Sequence, residues 1–168
     1  LQGLETSAIQ ECAETIIKAI QKGNKDTKVY ASKALVHLSL KELEASTIQR
    51  YAETLVRDIQ QCDEDIKAYA SRTLSHSPWQ KLEKLVIQEF AETLIQAIQR
   101  GDWATKKYVS EALGGLPWQK LEASAIQRFA EMLIQAIQKG NKDTKVYASK
   151  ALVHLPLKEL EALTIQRF

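Results

Sequence analysis

Residues 19–37 read AIQKGNKDTKVYASKALVH, and residues 136–154 read the same. This stretch decides the fold. Ala19–Lys22 close one amphipathic helix. Gly23 marks its end, where a left-handed residue is favoured. Asn24 is a good N-cap for a second helix. That second helix is predicted over 27–38, with Tyr30, Ala31, Ala34, Leu35 and Leu38 on one face at spacings of three and four. A turn this short makes the two helices antiparallel.

Outward from this hairpin, the chain repeats every 39 residues. Leu4-Glu5, Leu43-Glu44, Leu82-Glu83, Leu121-Glu122 and Leu160-Glu161 recur in strict register. Each is followed by Ile-Gln, at Ile9, Ile48, Ile87, Ile126 and Ile165. The repeats are 4–42, 43–81, 82–120 and 121–159, with a partial fifth at 160–168. A fixed period with drifting sequence marks stacked helical units. We expect one array over 1–168, a fragment of a longer solenoid. Solenoid ends normally carry polar caps, and neither end has an obvious one, so end-to-end self-association is expected to be possible. The near-identity of the first and fourth repeats fits duplication of a three-repeat block or an engineered array.

Within a repeat, the first helix (helix A) carries Ile9, Ala13, Ile16, Ile17 and Ile20 on one face. Leu94 and Leu133 belong to the same buried phase. Helix A is expected to open at Ser39, Pro78, Pro117 or Pro156, because proline suits a first helical turn. It spans up to about 22 residues, roughly 33 Å, and a short separate first helix is possible. The column Cys12, Tyr51, Phe90, Phe129 and Phe168 reads as a core ladder, as does the tyrosine column Tyr30, Tyr69, Tyr108 and Tyr147. Gly101 and Gly140 repeat the Gly23 stop, and Cys62 replaces it in the second repeat. The caps Asp63, Asp102 and Asn141 repeat Asn24. The fold class is therefore all-α, stacked antiparallel helix pairs.

Composition bounds the function. Lys+Arg 23 against Asp+Glu 21 is nearly balanced, unlike a nucleic-acid-binding tail. No run approaches a membrane span, and no signal peptide is visible, so an intracellular protein (cytoplasmic or organellar) is expected. Phosphate-loop, HExxH, GxSxG and CxxC patterns are absent from the sequence, and no enzymatic activity or cofactor is expected. His37, His76 and His154 share one column too widely spaced for a common metal. They read as helix-end histidines. Cys12 and Cys62 fall in different contexts and read as two free thiols. The Glu14, Glu53, Glu92 and Glu131 column and the glutamines at Gln10 and Gln21 read as polar ladders between repeats.

Helix B resembles the second helix of HEAT-like repeats. Thr27-Lys28-Val29-Tyr30-Ala31-Ser32-Lys33-Ala34-Leu35 carries that family's branched residue, basic residue and Ala-rich run, and Ile66-Lys67 matches most closely. The resemblance implies a right-handed α-solenoid (HEAT/armadillo type) acting as a protein-binding scaffold. A second resemblance, in Pro117-Trp118-Gln119-Lys120-Leu121-Glu122 and Pro78-Trp79, is to octotricopeptide repeats, organellar RNA-binding solenoids. The structural reading of these tryptophans is a cover over the helix junction.

A binding surface is expected where positions vary between constant neighbours. Val29, Ala68, Lys107 and Val146 form one such column; Lys33, Arg72, Glu111 and Lys150 form another four residues on, sharing its helix face. These eight are the candidate protein-binding residues. Segments 27–38, 66–77, 105–116 and 144–155 carry +2, +2, +1 and +2, and the acidic turns before them offset part of that charge. Lys28, Lys67, Lys106 and Lys145 are invariant across the repeats. They are read as a ladder pairing with Asp26, Asp65 and Asp143 or, in the RNA alternative, as phosphate contacts.

Overall fold

A computed structural model describes residues 2–156 and Lys158. The partial fifth repeat and the start of its helix A, including Phe168, lie outside the described residues. Every regular element among the described residues is helical, and the chain is all-α. It forms two compact units, Leu1–Leu82 and Glu83–Phe168.

The first unit holds α1 (Gln2–Lys22), α2 (Lys25–His37), α3 (Ala45–Gln61) and α4 (Glu64–Ser75). Helices α1 and α2 pack as a hairpin, as do α3 and α4; α1 stacks on α3, and α2 on α4. The second unit repeats this plan with α5 (Lys84–Arg100), α6 (Trp103–Leu113), α7 (Ala123–Lys139) and α8 (Lys142–Leu152).

The hairpin turns form as expected but for a different reason. Asn24, Asp102 and Asn141 cap their helices by accepting from the backbone N–H of Thr27, Thr105 and Thr144 at 2.8–2.9 Å. Helix B accordingly starts two residues earlier than the apolar pattern indicated. The glycines are not left-handed: no residue among those described has positive φ, and Gly101 and Gly140 are extended at φ −74° and −77°. What excludes other residues is space. A Cβ on Gly140 would lie 2.4 Å from Ala136 O and 2.5 Å from Thr144 Cγ2. Cys62 fits its turn because φ shifts to −97° and Ile66 replaces the threonine.

Helix A is broken rather than continuous after the first repeat. One-turn 3-10 helices occupy Leu40–Glu42, Trp79–Lys81 and Trp118–Lys120. Leu43, Leu82 and Leu121 then adopt extended backbone and are buried. The recurrent Leu-Glu pair is thus a plug followed by a helix N-cap, since Glu44, Glu83 and Glu122 precede the 17-residue helices α3, α5 and α7. The tryptophans cover the junction: Trp79 and Trp118 are buried, and their indole N–H groups donate to Leu74 O and Leu113 O at 2.8 and 3.0 Å. Trp118 also meets Phe129 edge-on at 6.1 Å.

The aromatic column is buried at Tyr51, Phe90 and Phe129, and burial pushes the Tyr51 phenol up to about 12. Leu94 and Leu133 are fully buried. The first repeat departs from its columns: Cys12, Tyr30 and Ala34 are exposed. These positions face the preceding repeat, as Tyr147 does when it meets Trp103 of α6 edge-on at 6.5 Å. Among the described residues, no hairpin precedes α1.

Polar side chains tie successive hairpins together. Arg50 bonds Glu14 at 3.2 Å, and Arg128 bonds Glu92 at 3.3 Å. The Gln10 amide and the Arg50 guanidinium hold the Glu14 carboxyl below its usual range. Gln10 donates to Thr47, and Gln21 to Thr54 at 3.0 Å. The ladders read from the sequence are thus seen at Glu14, Glu92, Gln10 and Gln21, while Glu53 and Glu131 accept from Gln49 and Gln127 on their own helices. Both cysteines are free, and His76 Nδ1 lies 2.9 Å from Arg72 O at the end of its helix.

Candidate functional site

The variable positions of helix B lie at the surface of each unit. In the first unit, Lys33 and Arg72 are exposed and Val29 and Ala68 half-buried. In the second, Glu111, Val146 and Lys150 are exposed and Lys107 is half-buried. Because α2 stacks on α4 and α6 on α8, each unit brings its four candidates onto two neighbouring helices.

The second unit adds a residue that the column reading missed. Trp103 on α6 is 47% exposed. The Lys107 ammonium, one turn on, lies 5.4 Å from the Trp103 ring centroid and 4.8 Å from that of Tyr108. The Lys150 ammonium lies 5.1 Å from the Tyr147 ring. Trp103 and Tyr147 meet edge-on, so the exposed Trp103 and the two lysines stand over the buried rings of Tyr108 and Tyr147. Cations held over aromatic faces gain about 0.5–1 kcal/mol each at exposed sites. The missed signal was composition: this column reads Lys25, Glu64, Trp103 and Lys142, with one apolar residue among charges.

The invariant lysines stand elsewhere. Lys67 and Lys106 are buried. Lys106 donates to Thr144 Oγ1 at 2.7 Å and approaches Asn141 Oδ1 at 3.5 Å, the cap of the next hairpin. Lys28 reaches forward likewise but finds Asp58 at 3.6 Å and Cys62 Sγ at 4.0 Å. The acceptors in these pairs are groups at the next hairpin turn, not the Asp26 column that was expected. Lys145 is exposed.

Asp58 is the anomaly of this network. Its column is alanine at Ala19, Ala97 and Ala136. Its carboxyl is buried, and Oδ2 has no hydrogen-bond partner. Burial pushes this carboxyl up, against the pull of Lys28. Burial and the neighbouring Asp58 likewise push the Cys62 thiol up. A protonated thiol is a poor nucleophile, so the cluster reads as packing rather than chemistry. The described residues contain no group of three metal-ligating side chains, and no helix among them is long and apolar enough to cross a membrane.

No protein-family model matches the chain, and no curated protein sequence matches it. Among solved structures, the crystal structure of an engineered protein is similar, with TM-score 0.52 and 17% identity. The match covers 84% of this chain but only 62% of that protein's length. At this identity the likeness concerns the fold alone, a run of packed helices.

Proposed function

We propose that the chain is a non-enzymatic helical-repeat scaffold that binds a protein partner through the variable face of helix B. The observation that carries this reading is the exposed Trp103, Val146 and Lys150 beside the half-buried Lys107. Exposed aromatic and aliphatic groups beside positive charge match the composition of protein-binding hot spots. The resemblance of helix B to HEAT-like repeats supports the same reading and implies a right-handed solenoid. The RNA alternative is weakened at its phosphate contacts, because Lys67 and Lys106 are buried.

The test is a proteome-wide interaction screen with the full chain, then titration of the strongest partner. Trp103→Ala with Lys107→Glu should lower affinity at least tenfold while leaving circular dichroism unchanged. Unaltered affinity would remove this surface from the site. A second reading, an engineered or purely structural array, is favoured by the identical stretches at 19–37 and 136–154 and by the engineered structural neighbour. It predicts that the screen returns no partner.

A further inference from the structure

We propose that the helix-B surface of the second unit takes an acidic peptide segment carrying one large apolar side chain, the apolar group docking on Trp103 and the carboxylates on Lys107 and Lys150. This deepens the helix-B reading and rests on it, adding the chemistry of the partner.

Two helix-B columns are exposed in all four repeats. One holds Lys25, Glu64, Trp103 and Lys142; the other, two turns on, holds Lys33, Arg72, Glu111 and Lys150. Both face solvent whatever stands before α1 or after α8, because the inner repeats expose them as the outer ones do. On this outward stripe an apolar ring is the exception. Trp103 is 47% exposed, at a position where the other three repeats carry a charge. Burial of the rest of its surface would be favourable, and a large aromatic side chain is the kind of anchor on which binding energy concentrates. The ring is also held. Its edge contact with Tyr147 at 6.5 Å ties α6 to α8, and the Lys107 ammonium lies 5.4 Å from its centroid. A held anchor loses less freedom when a partner closes on it.

Charge decides what should surround the anchor. In the second unit Lys107, Lys142 and Lys150 stand against Glu111, for a net +2 on the stripe. In the first unit Lys25, Lys33 and Arg72 stand against Glu64, again a net +2. The two stripes together exceed the +2 of the whole chain, so positive charge is gathered on helix B and the remainder is net negative. Such a face steers and orients an acidic partner. Its lysines are placed by aromatic rings: Lys107 lies 4.8 Å from the Tyr108 centroid, and Lys150 lies 5.1 Å from that of Tyr147, the ring that Trp103 also meets. Exposed ion pairs add little affinity by themselves. The carboxylates therefore supply orientation and salt dependence, and the apolar side chain supplies most of the binding energy. Glu111 disfavours a polyphosphate. It breaks the positive stripe one turn from Lys107, where a nucleic-acid backbone carries a charge at every step. A peptide can set a neutral residue there.

Fluorescence anisotropy on the full chain tests this with four labelled probes. They are a peptide with glutamates around a central tryptophan, the same peptide with alanine for that tryptophan, the same with lysine for every glutamate, and a mixed-sequence single-stranded RNA. The glutamate–tryptophan peptide should bind about tenfold or more tighter than the other three, and its affinity should fall as salt rises. Trp103→Ala should remove the preference for tryptophan over alanine in the peptide. Lys107→Glu with Lys150→Glu should reverse the preference for glutamate over lysine. Lys33→Glu with Arg72→Glu, the same change of charge on the first unit, should leave both preferences in place. Tighter binding of the lysine peptide or of RNA overturns the proposal, as does the absence of peptide binding. So does a tryptophan preference that survives Trp103→Ala, and so does an equal loss with the first-unit pair. The helix-B reading is decided separately, by the partner from the interaction screen. If Trp103→Ala with Lys107→Glu weakens that partner while the glutamate–tryptophan peptide does not bind, the surface stands and its acidic occupant falls.

Discussion

Replacing Gly140 by alanine would set a methyl group 2.5 Å from Thr144 Cγ2 and 2.4 Å from a carbonyl oxygen. Overpacking of this kind typically costs about 1–3 kcal/mol. Gly140→Ala should therefore lower stability by that amount in denaturant titration, whereas Cys62→Ala should cost less than the glycine change. Equal losses would show that the turn does not depend on close approach. The other residue-scale prediction concerns Asp58. A buried carboxyl whose folded pKa is raised favours the folded state while protonated, and that contribution is lost as pH rises through the folded pKa. Relative to Asp58→Asn, the wild-type protein should lose stability as pH climbs from about 3.8, the ordinary value for Asp, through the elevated one. A stability difference that is flat or reversed in sign over this range would contradict the burial described for Asp58. The combined change Asp58→Ala, Cys62→Gly and Ile66→Thr rebuilds the arrangement in which Lys106 bonds Thr144. It should leave stability equal or higher, since replacing buried ion pairs is often neutral or stabilising by about 1–4 kcal/mol.

At the scale of elements, the core columns carry the fold. Leu94→Ala and Leu133→Ala should each cost about 2–5 kcal/mol in chemical denaturation, because both side chains are fully buried. Losses below about 0.5 kcal/mol at both would contradict the helix-A phase, since surface substitutions fall in that range. Trp118→Ala should cost about 3–5 kcal/mol, because it removes both the indole bond to Leu113 O and the edge contact to Phe129. Much of this was legible in the sequence. The caps, the helix-B period and the burial of Leu94 and Leu133 all follow from residue type and spacing. The break in helix A was legible only as a possible short first helix; the one-turn 3-10 form and the extended Leu43, Leu82 and Leu121 were not, because Ser39, Pro78 and Pro117 suit the first turn of either arrangement. Nor was the conformation of the hairpin glycines, since left-handed backbone and close approach select the same residue. Tyr30 and Cys12 exposed a third limit: a column states what a position prefers, and only a neighbour in space decides whether it is covered.

For the whole molecule, the 39-residue repeat assigns different jobs to different faces of the hairpin. Helix A supplies buried leucine and isoleucine, together with the Glu–Arg and Gln–Thr ties between hairpins. Helix B presents its variable side chains to solvent. Of the candidate site, the eight helix-B positions could be found from variation against constant neighbours. Trp103 showed only as one apolar residue in an otherwise charged column, and its value lies in contacts with Lys107 and Tyr147 that only the fold creates. The central claim is that partners engage helix B. Hydrogen exchange of the full chain, with and without its strongest captured protein partner, tests it most directly. The account predicts slowed exchange within 25–37, 64–75, 103–113 or 142–152 and unchanged exchange in α3, α5 and α7. Protection confined to those three helices would contradict it.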